Sequence, residues 1–356
     1  MIKYIGSKRR LVPVLGQLLA AVEARTALDL FTGTTRVAQE FKRRGAEVWA
    51  VDTARYSEVL AQCYIATDLA AVDKDDLKAA LERLNALPGR QGYFTDAFCE
   101  AARYFQPQNG RRVDAIRDVL ADEYADSPLY PILLTSLMLA ADRVDSTTGV
   151  QMAYLKGWAP RAFKDLELQM PELIVGPGHA IRSDATQLVG ELPHVDLAYL
   201  DPPYNQHRYF TNYHVWETLV AWDAPEYYGV ACKRIDSRDD STKSIFNKKR
   251  EMKGALRSTI SQVKADFLMV SYNNEAWVTM EELVEMCSPG REAVEVLAFD
   301  SKRYVGAQIG IFNPAGEKVG KVSHLRNLEF VVLAGDRERV AAAKAVGAPS
   351  EANTLF

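Results

Sequence analysis

Asp196-Leu-Ala-Tyr-Leu-Asp-Pro-Pro-Tyr204 is the stretch around which the rest of the chain is organised. Residues 197–200 are a short apolar run of buried-strand type, and Pro202-Pro203 must end any strand because neither has an amide hydrogen to donate. The strand therefore stops at Asp201. A carboxylate and a ring, Asp201 and Tyr204, then stand on two φ-locked prolines at the carboxyl end of a strand, where open α/β sheets place their ligand crevices. An acid held rigidly beside a ring suits a flat base carrying an exocyclic amine. A Pro-Pro turn with a solvated acid and a surface tyrosine would give the same four letters, so the surrounding chain has to carry the reading. Downstream, Gln206-His-Arg-Tyr-Phe-Thr-Asn-Tyr-His214 lines the next loop with five rings and two amides.

Upstream lies a second informative unit. Ala27-Leu-Asp-Leu-Phe31 reads as a strand, Thr32-Gly33-Thr34-Thr35 as a turn, residues 36–44 as a helix, and Glu47-Val-Trp-Ala-Val51 as a second strand tipped by Asp52. In such β-turn-α-β units the turn lets a cofactor approach the backbone, and the acid at the second strand's tip can accept hydrogens from both ribose hydroxyls. Asp52 is the ribose candidate. The dinucleotide pattern G-x-G-x-x-G is absent, Gly33 being the single glycine of the turn, so no pyrophosphate cradle is built. A nucleoside cofactor without phosphates fits better, and S-adenosylmethionine is the common one. Phe31 would face its sulfonium, which a ring's quadrupole attracts. The plainer alternative makes Phe31 core and Asp52 a helix cap.

At 356 residues, with 48% hydrophobic and 25% charged side chains, the chain can bury a large core and has the composition of an ordinary soluble enzyme. Its net charge of −4 repels phosphate as a whole, so any nucleic-acid surface has to be a local basic face. Cys63, Cys99, Cys232 and Cys287 are scattered without a CxxC pair, which argues against a zinc site and against a disulfide framework. No run reaches about 18 apolar residues, and the first residues lack an apolar signal core. A cytoplasmic protein in a reducing compartment is expected.

The N-terminal stretch carries Tyr4, Gly6, Ser7 and Lys8-Arg9-Arg10 ahead of a helical pattern through Leu11, Val14, Leu15, Leu18 and Leu19. A Gly-Ser turn at a helix entrance beside a lysine can dock an anion, or can simply cap the helix. Residues 57–178 turn helical, with patterns over 61–71, 77–87, 98–105, 115–125 and 129–141 and a loop at 88–92. They read as an inserted helical target-recognition lobe. Its loops mix hydroxyls, amides, rings and cations, Lys156 and Arg161 among them, of the kind that meet phosphates and base edges. The alternative is a helical cap with an ordinary polar loop. After the lobe, Asp184 follows a short strand and could face a cofactor's adenine amine. A helix is expected at 216–222, and strands at 267–271, 293–299 and 327–334 with a helix at 277–287. Residues 223–259 are basic, with Lys233, Arg234, Lys243, Lys248, Lys249, Arg250 and Lys253, and read either as a mobile phosphate-gripping segment or as a solvated face. The last fifteen residues look frayed.

Taken together these stretches resemble a known family. Tyr-Ile-Gly-Ser-Lys at 4–8, Asp-Leu-Phe-Thr-Gly at 29–33, the acid at 52, Ser183-Asp184-Ala185, Asp-Pro-Pro-Tyr at 201–204 and Phe-Thr-Asn-Tyr-His at 210–214 are similar, in that order, to the D12 class of N6-adenine DNA methyltransferases, the Dam-like α group. Thr34-Thr35 departs from it, standing where many members have a second glycine. The resemblance implies an α/β, Rossmann-like methyltransferase sheet formed by residues 1–56 and 179–340, with 57–178 inserted and 341–356 a tail. It implies S-adenosylmethionine as cofactor, with Tyr4 among its contacts, Lys8 near the methionine carboxylate or the target strand, Asp29, Phe31 and Gly33 around methionine, Asp52 on ribose, Asp184 at its adenine and Asp201 beside the reacting centre. Asp201, Pro202, Pro203 and Tyr204 would be catalytic, and Tyr204, Asn205, Tyr209, Tyr213, His214, Lys156, Arg161, Lys248 and Lys249 would meet double-stranded DNA, with Tyr204 stacked on a flipped base. A cognate restriction endonuclease is a possible partner; no metal or membrane is expected. Methylation of cytosine N4 is the nearest alternative because the same chemistry serves both amines, followed by an RNA methyltransferase and a non-catalytic nucleic-acid-binding module.

Overall fold

The computed structural model describes residues 2–4, 8–152, 157–204, 206, 208–274, 276–302, 311–312, 318–320 and 326–347. Helix α1 (Val12–Ala21) precedes strand β1 (Thr26–Asp29), α2 (Arg36–Arg43), β2 (Glu47–Asp52) and α3 (Arg55–Ala61). The inserted region adds α4 (Lys74–Asn85), α5 (Pro107–Glu123) and α6 (Tyr130–Val144), and the chain then returns through β3 (Gly178–Arg182), α7 (Ala185–Leu188) and β4 (Val195–Leu200). Next come α8 (Tyr209–Asn212), α9 (His214–Ala221), the small pair β5 (Tyr227–Tyr228) and β6 (Lys233–Arg234), α10 (Met252–Gln262), β7 (Ala265–Asn273) and α11 (Met280–Cys287). The described chain closes with β8 (Ala293–Lys302), the pair β9 (Ile311–Phe312) and β10 (Lys318–Gly320), β11 (Arg326–Gly335) and α12 (Arg337–Gly347).

Seven of these strands form one sheet in the order β3-β2-β1-β4-β7-β11-β8. Pairings from β3 across to β7 are parallel, and β11 runs antiparallel to both of its neighbours. This is a doubly wound, Rossmann-like sheet. The strand order reverses between β1 and β4, since the chain builds outwards to β3 on one side and then restarts beside β1. That reversal opens a crevice at the carboxyl ends of the two strands, and Asp201 immediately follows β4.

Helices cover both faces. One core joins Leu15, Leu18 and Phe41 to Tyr199 and Val331 and runs without a break into Phe98, Ile116, Leu134 and Met138 of the insert. The insert therefore shares the apolar core of that sheet face, because α6 packs on α3 as well as on α5. The second core, on the opposite face, gathers Leu200, Leu256, Val270, Leu283 and Val332.

Local details differ from the sequence expectation where burial overrides pattern. Residues 61–71 and 98–105 are not regular α-helix: Gln62–Ala66 and Thr95–Ala101 are wide π-turns, and Leu69–Ala71 is a 3₁₀ turn. Fully buried Lys42 supplies the reason at the first, donating to the carbonyls of Ile65 and Thr67, each at 2.7 Å. At the second, the Asp114 carboxylate takes the amides of Phe94 and Thr95, both at 2.9 Å, and the Thr95 hydroxyl at 2.5 Å. Asp114→Ala strands those buried donors and is expected to cost about 2–3 kcal/mol, read as a lower midpoint in chemical denaturation at unchanged slope. Chain-terminal fraying was also expected too early. Helix α12 continues to Gly347, where a Cβ would come within 2.5 Å of Leu297, and its Val340 and Ala343 are buried.

Candidate active site

A cavity of about 560 Å³, within the ~300–1,000 Å³ range of small-molecule sites, opens at the strand-order reversal. Phe31 and Gly33 from the turn after β1, Asp52 at the tip of β2, Ser183 and Asp184 after β3, and Asp201 and Pro203 after β4 all border it. Tyr4, Tyr209 and Phe210 close one side. Four segments remote in sequence thus converge because each parallel strand delivers its carboxyl end to the same edge.

The turn after β1 is fixed from two directions. Asp29 lies beneath it, almost wholly buried, with Oδ2 accepting from the Thr32 hydroxyl at 2.8 Å and the Ala38 amide at 3.2 Å. Burial pushes its carboxyl up to about 7, with the Thr32 hydrogen bond opposing. Asp52 reaches across from β2, Oδ2 accepting from the Gly33 amide at 2.9 Å and Oδ1 from the Ala54 amide at 3.0 Å. Burial raises its carboxyl and these amides lower it. Each carboxylate oxygen can accept twice, so Asp52 retains acceptor capacity toward the cavity. Gly33 has φ +52° and Thr35 φ +60°. The left-handed conformation is natural for glycine and strained for a β-branched residue. Thr35 is held there from both sides, its hydroxyl donating to the Thr34 carbonyl at 2.8 Å and accepting from Gln39 at 2.9 Å.

Asp201 is the other fixed point. Lys8 Nζ sits 3.2 Å from its Oδ1 and 3.0 Å from Glu329 Oε2. Oδ1 is buried, whereas 18% of the side chain is exposed, so the accessible part of the carboxyl group is turned away from Lys8. Burial pushes the carboxyl up to about 6; the Lys8 ammonium pulls it down and Glu329 pushes it up. Burial works against the charge of Lys8 itself, but Asp201 and Glu329 outweigh it and hold the ammonium well above its ordinary range. The anion-docking role expected for Lys8 is thereby corrected: an ammonium 6% exposed needs carboxylates, and it has two of the protein's own.

Aromatic rings frame the cavity. Tyr4, Tyr209 and Tyr213 form a cluster of three rings, with Tyr4 5.3 Å from Tyr209 and 4.6 Å from Tyr213 and those two 6.2 Å apart, and the Tyr4 hydroxyl is 3.1 Å from that of Tyr56. Phe31 meets Phe246 edge to face at 5.1 Å. Six carboxylates line the cavity, Asp52, Asp184, Asp201, Glu217, Asp236 and Asp239, against three cations, Arg55, Arg182 and Lys243. This excess of negative groups suits a cationic ligand better than a phosphorylated one. Asp184 contributes while capping α7, Oδ1 accepting from the Thr186 amide at 2.8 Å.

Several residues expected at the site lie elsewhere. Tyr213 and His214 are fully buried. Burial lowers His214 to about 3, leaving a neutral ring with Nε2 2.8 Å from the Gln151 carbonyl oxygen, which makes it part of the loop's support and not a DNA contact. Tyr204 is 9% exposed and lies outside the cavity lining, edge to face with Tyr272 at 5.7 Å and with Lys8 Nζ 5.8 Å from its ring centre. Asp29 braces the turn from below and does not border the cavity. Arg161 is spent on the loop at 145–149, donating to Asp145 Oδ1 at 2.9 Å and the Thr147 carbonyl at 2.7 Å. Gly6, Ser7, Lys156 and Asn205 fall outside the described residues.

The basic stretch 223–259 is likewise held by its own acids. Arg234, 2% exposed, is clamped by Asp223 at 2.7 Å and Asp236 at 2.8 Å, Lys243 pairs with Asp240 at 2.7 Å, and Lys248 with Glu251 at 3.6 Å. Lys249 is exposed on the turn before α10. Part of the stretch, residues 241–244 with Phe246 and Asn247, forms a cavity wall that charge counting could not reveal. Phe246, a lone ring in a polar run, was the available signal. Glu217 was also missed. It is 1% exposed, accepts from the Arg55 amide at 2.9 Å and is pushed by burial to about 7; a single acid inside the apolar run of α9 was its signal. Glu329 gave none, since nothing in a strand sequence says which distant cation its side chain will meet.

Residues 4–286 match the family model described as D12 class N6 adenine-specific DNA methyltransferase. Type II methyltransferase M.NlaIII of Neisseria lactamica is 31% identical over 298 residues, covering 80% of this chain and 86% of that protein. Modification methylase StsI of Streptococcus sanguinis is 29% identical over 302 residues, 80% of this chain and 46% of that longer protein. Type II methyltransferase M.CviAII of Paramecium bursaria Chlorella virus 1 is 27% identical over 323 residues, 85% of this chain and 92% of that protein.

Proposed function

The chain belongs to the D12 class of N6-adenine-specific DNA methyltransferases, and from that premise we propose that Asp201 and the Pro202 carbonyl draw the hydrogens of a target adenine amine while the rest of the cavity holds S-adenosylmethionine. The protein is a SAM-dependent, adenine-specific DNA methyltransferase. The observation that carries the finer reading is that Phe31, Asp52 and Asp201 border one cavity with an excess of carboxylates. The cofactor is a cation at sulfur, and the residues fit it. Phe31 offers a ring to the sulfonium, Asp52 has lone pairs left for ribose hydroxyls, and Asp184 lies at the end of β3 for the adenine.

When bound, the cofactor supplies a methyl group on an electrophilic sulfonium. The lone pair of an adenine N6 is delocalised into the ring and is a poor nucleophile. Accepting the amine hydrogens concentrates that pair on nitrogen, most strongly in the transition state as positive charge grows there. Asp201 is shaped for this: Lys8 anchors one oxygen from behind, and the exposed part of the carboxyl group faces the cavity side. Pro202 contributes a carbonyl whose strand ladder has been broken by its own ring and by Pro203. No nucleophilic side chain is needed, so the buried cysteines have no part in the step.

An amine inside a duplex cannot reach such a cavity, so the target base is swung out of the stack. Tyr209 and Phe210 border the cavity and are the rings offered to it. Among the described residues no helix is long and apolar enough to cross a membrane. The type II relatives favour a cognate restriction endonuclease as the genetic partner.

Nucleoside analysis of DNA incubated with the protein and labelled cofactor is expected to give N6-methyladenine; N4-methylcytosine alone would overturn the assignment of the amine. Because Asp201 accepts only when ionised, turnover should fall as pH drops through about 6. Lys8→Gln removes the cation that lowers this carboxyl, so the acid limb of the pH–rate profile should move to higher pH. An acid limb in the same place in both proteins would mean that another group limits the rate.

A further inference from the structure

We propose that Glu329 is a positioning residue for methyl transfer, acting through Lys8: by taking one hydrogen of the ammonium it fixes Lys8 behind Asp201 and keeps that carboxylate a strong acceptor. The inference rests on the reading of Asp201 as the acceptor of the amine hydrogens.

The geometry is a carboxylate–ammonium–carboxylate bridge drawn from three distant segments. Lys8 precedes α1, Asp201 follows β4, and Glu329 lies on β11, where it is paired with Asn273 of β7 and Phe299 of β8. Lys8 Nζ donates to Glu329 Oε2 at 3.0 Å and stands 3.2 Å from Asp201 Oδ1. The three side chains are 6%, 17% and 18% exposed, so bulk water screens the bridge only from its edges. The Asp201 contact is the poorer of the two. Asp201 Oδ1 lies 3.2 Å from Nζ, whereas Glu329 Oε2 accepts from Nζ at 3.0 Å.

That asymmetry has a chemical use. A carboxylate locked in an exclusive, well-aligned pair with an ammonium is a weak acceptor for anything else, because its charge is already neutralised. Glu329 takes the shorter contact and part of the field, leaving Asp201 anchored but under-neutralised. Other groups facing Asp201 do not substitute for this. Asp29, the last residue of β1, is a carboxyl that burial pushes up to about 7 and brings no positive charge, while Tyr199 on β4 and Tyr209 on α8 are phenols whose burial keeps them neutral. Tyr199 is in addition turned onto Ser271 at 2.8 Å. Lys8 is thus the cation of the cluster, and Glu329 the group that sets how much of it Asp201 feels.

The test is Glu329→Gln, which keeps the shape and an oxygen for Lys8 but removes the charge. The Asp201 carboxyl is followed by ¹³C NMR in the cofactor-free protein, its signal assigned by its loss in Asp201→Asn. Its titration midpoint should move below the parent's by about one unit, and kcat should fall about tenfold with KM for DNA and cofactor affinity unchanged. Glu329→Asp, with its charge retained, should recover most of the rate. A midpoint that stays put, or a double variant Lys8→Gln/Glu329→Gln that loses kcat by the product of the single losses, would overturn the inference. If instead Asp201→Asn turns over normally, the reading of Asp201 fails, and that outcome is separate from the NMR result.

Discussion

Asp201→Asn should lower methyl transfer by about a hundred- to a thousandfold, with cofactor affinity unchanged. The substitution is isosteric, so it leaves the cavity's volume and the turn between β4 and Tyr204 in place. What it removes is a charged acceptor and what it adds is an amide donor, which repels the hydrogens it should hold. The loss belongs to the transition state because the amine gains positive charge only as the new bond forms. Calorimetry with S-adenosylmethionine separates the roles: if affinity collapsed together with turnover, Asp201 would be a cofactor ligand and not the acceptor. Folding does not explain the loss. The carboxyl of Asp201 is raised from its ordinary value to about 6, so between about pH 4 and 6 the folded chain keeps a proton that the unfolded chain has released. Ionised Asp201 therefore weakens the fold as pH rises through that window, and the Asn variant should lack this dependence in melting curves collected from pH 4 to 7.

Asp52→Ala is the second large effect, expected in binding. Its two oxygens hold the Gly33 and Ala54 amides at 2.9 and 3.0 Å and still face the cavity. Losing the acceptor of a ribose hydroxyl, a hydrogen bond to a charged group worth ~1.5–3 kcal/mol, should raise the dissociation constant for cofactor about ten- to a hundredfold. The turn also loses a brace, so thermal stability should fall together with affinity. At saturating cofactor, kcat should recover most of its parent value, since Asp52 does not touch the reacting nitrogen. A dissociation constant that does not move would place the ribose elsewhere.

The sheet edge that builds the site was legible because its signals are local. Pro202 and Pro203 cannot continue a ladder, Gly33 tolerates a positive φ, and an acid at position 52 ends an alternating apolar strand; each follows from the covalent chemistry of a few adjacent residues. Thr35 shows the limit of that logic. Its side chain argues against φ +60°, yet the closing of the turn onto α2 imposes it and two hydrogen bonds hold it.

Basic residues were the least legible part. Lys8 read as an anion-docking residue and Arg161 and Arg234 as phosphate ligands, and all three are consumed by internal carboxylates and carbonyls. His214, likewise, is a polar letter in a polar-looking loop that the fold takes wholly inside. Charge in a sequence does not reveal whether its partner will be a substrate or another side chain.

By itself the sequence determined where the central strands end, which turn approaches a ligand and which acids stand at the strand tips, because those depend on neighbours a few residues apart. Only the tertiary structure decided that Lys8 and Glu329, 321 residues apart, share one bridge to Asp201, that β11 slots antiparallel between β7 and β8, and that the insert's helices join the core of one sheet face. The reason is burial. Whether a charge or an apolar stripe faces water or a partner is set by what distant segments bring against it, and the free energy of that choice appears only when the chain closes on itself.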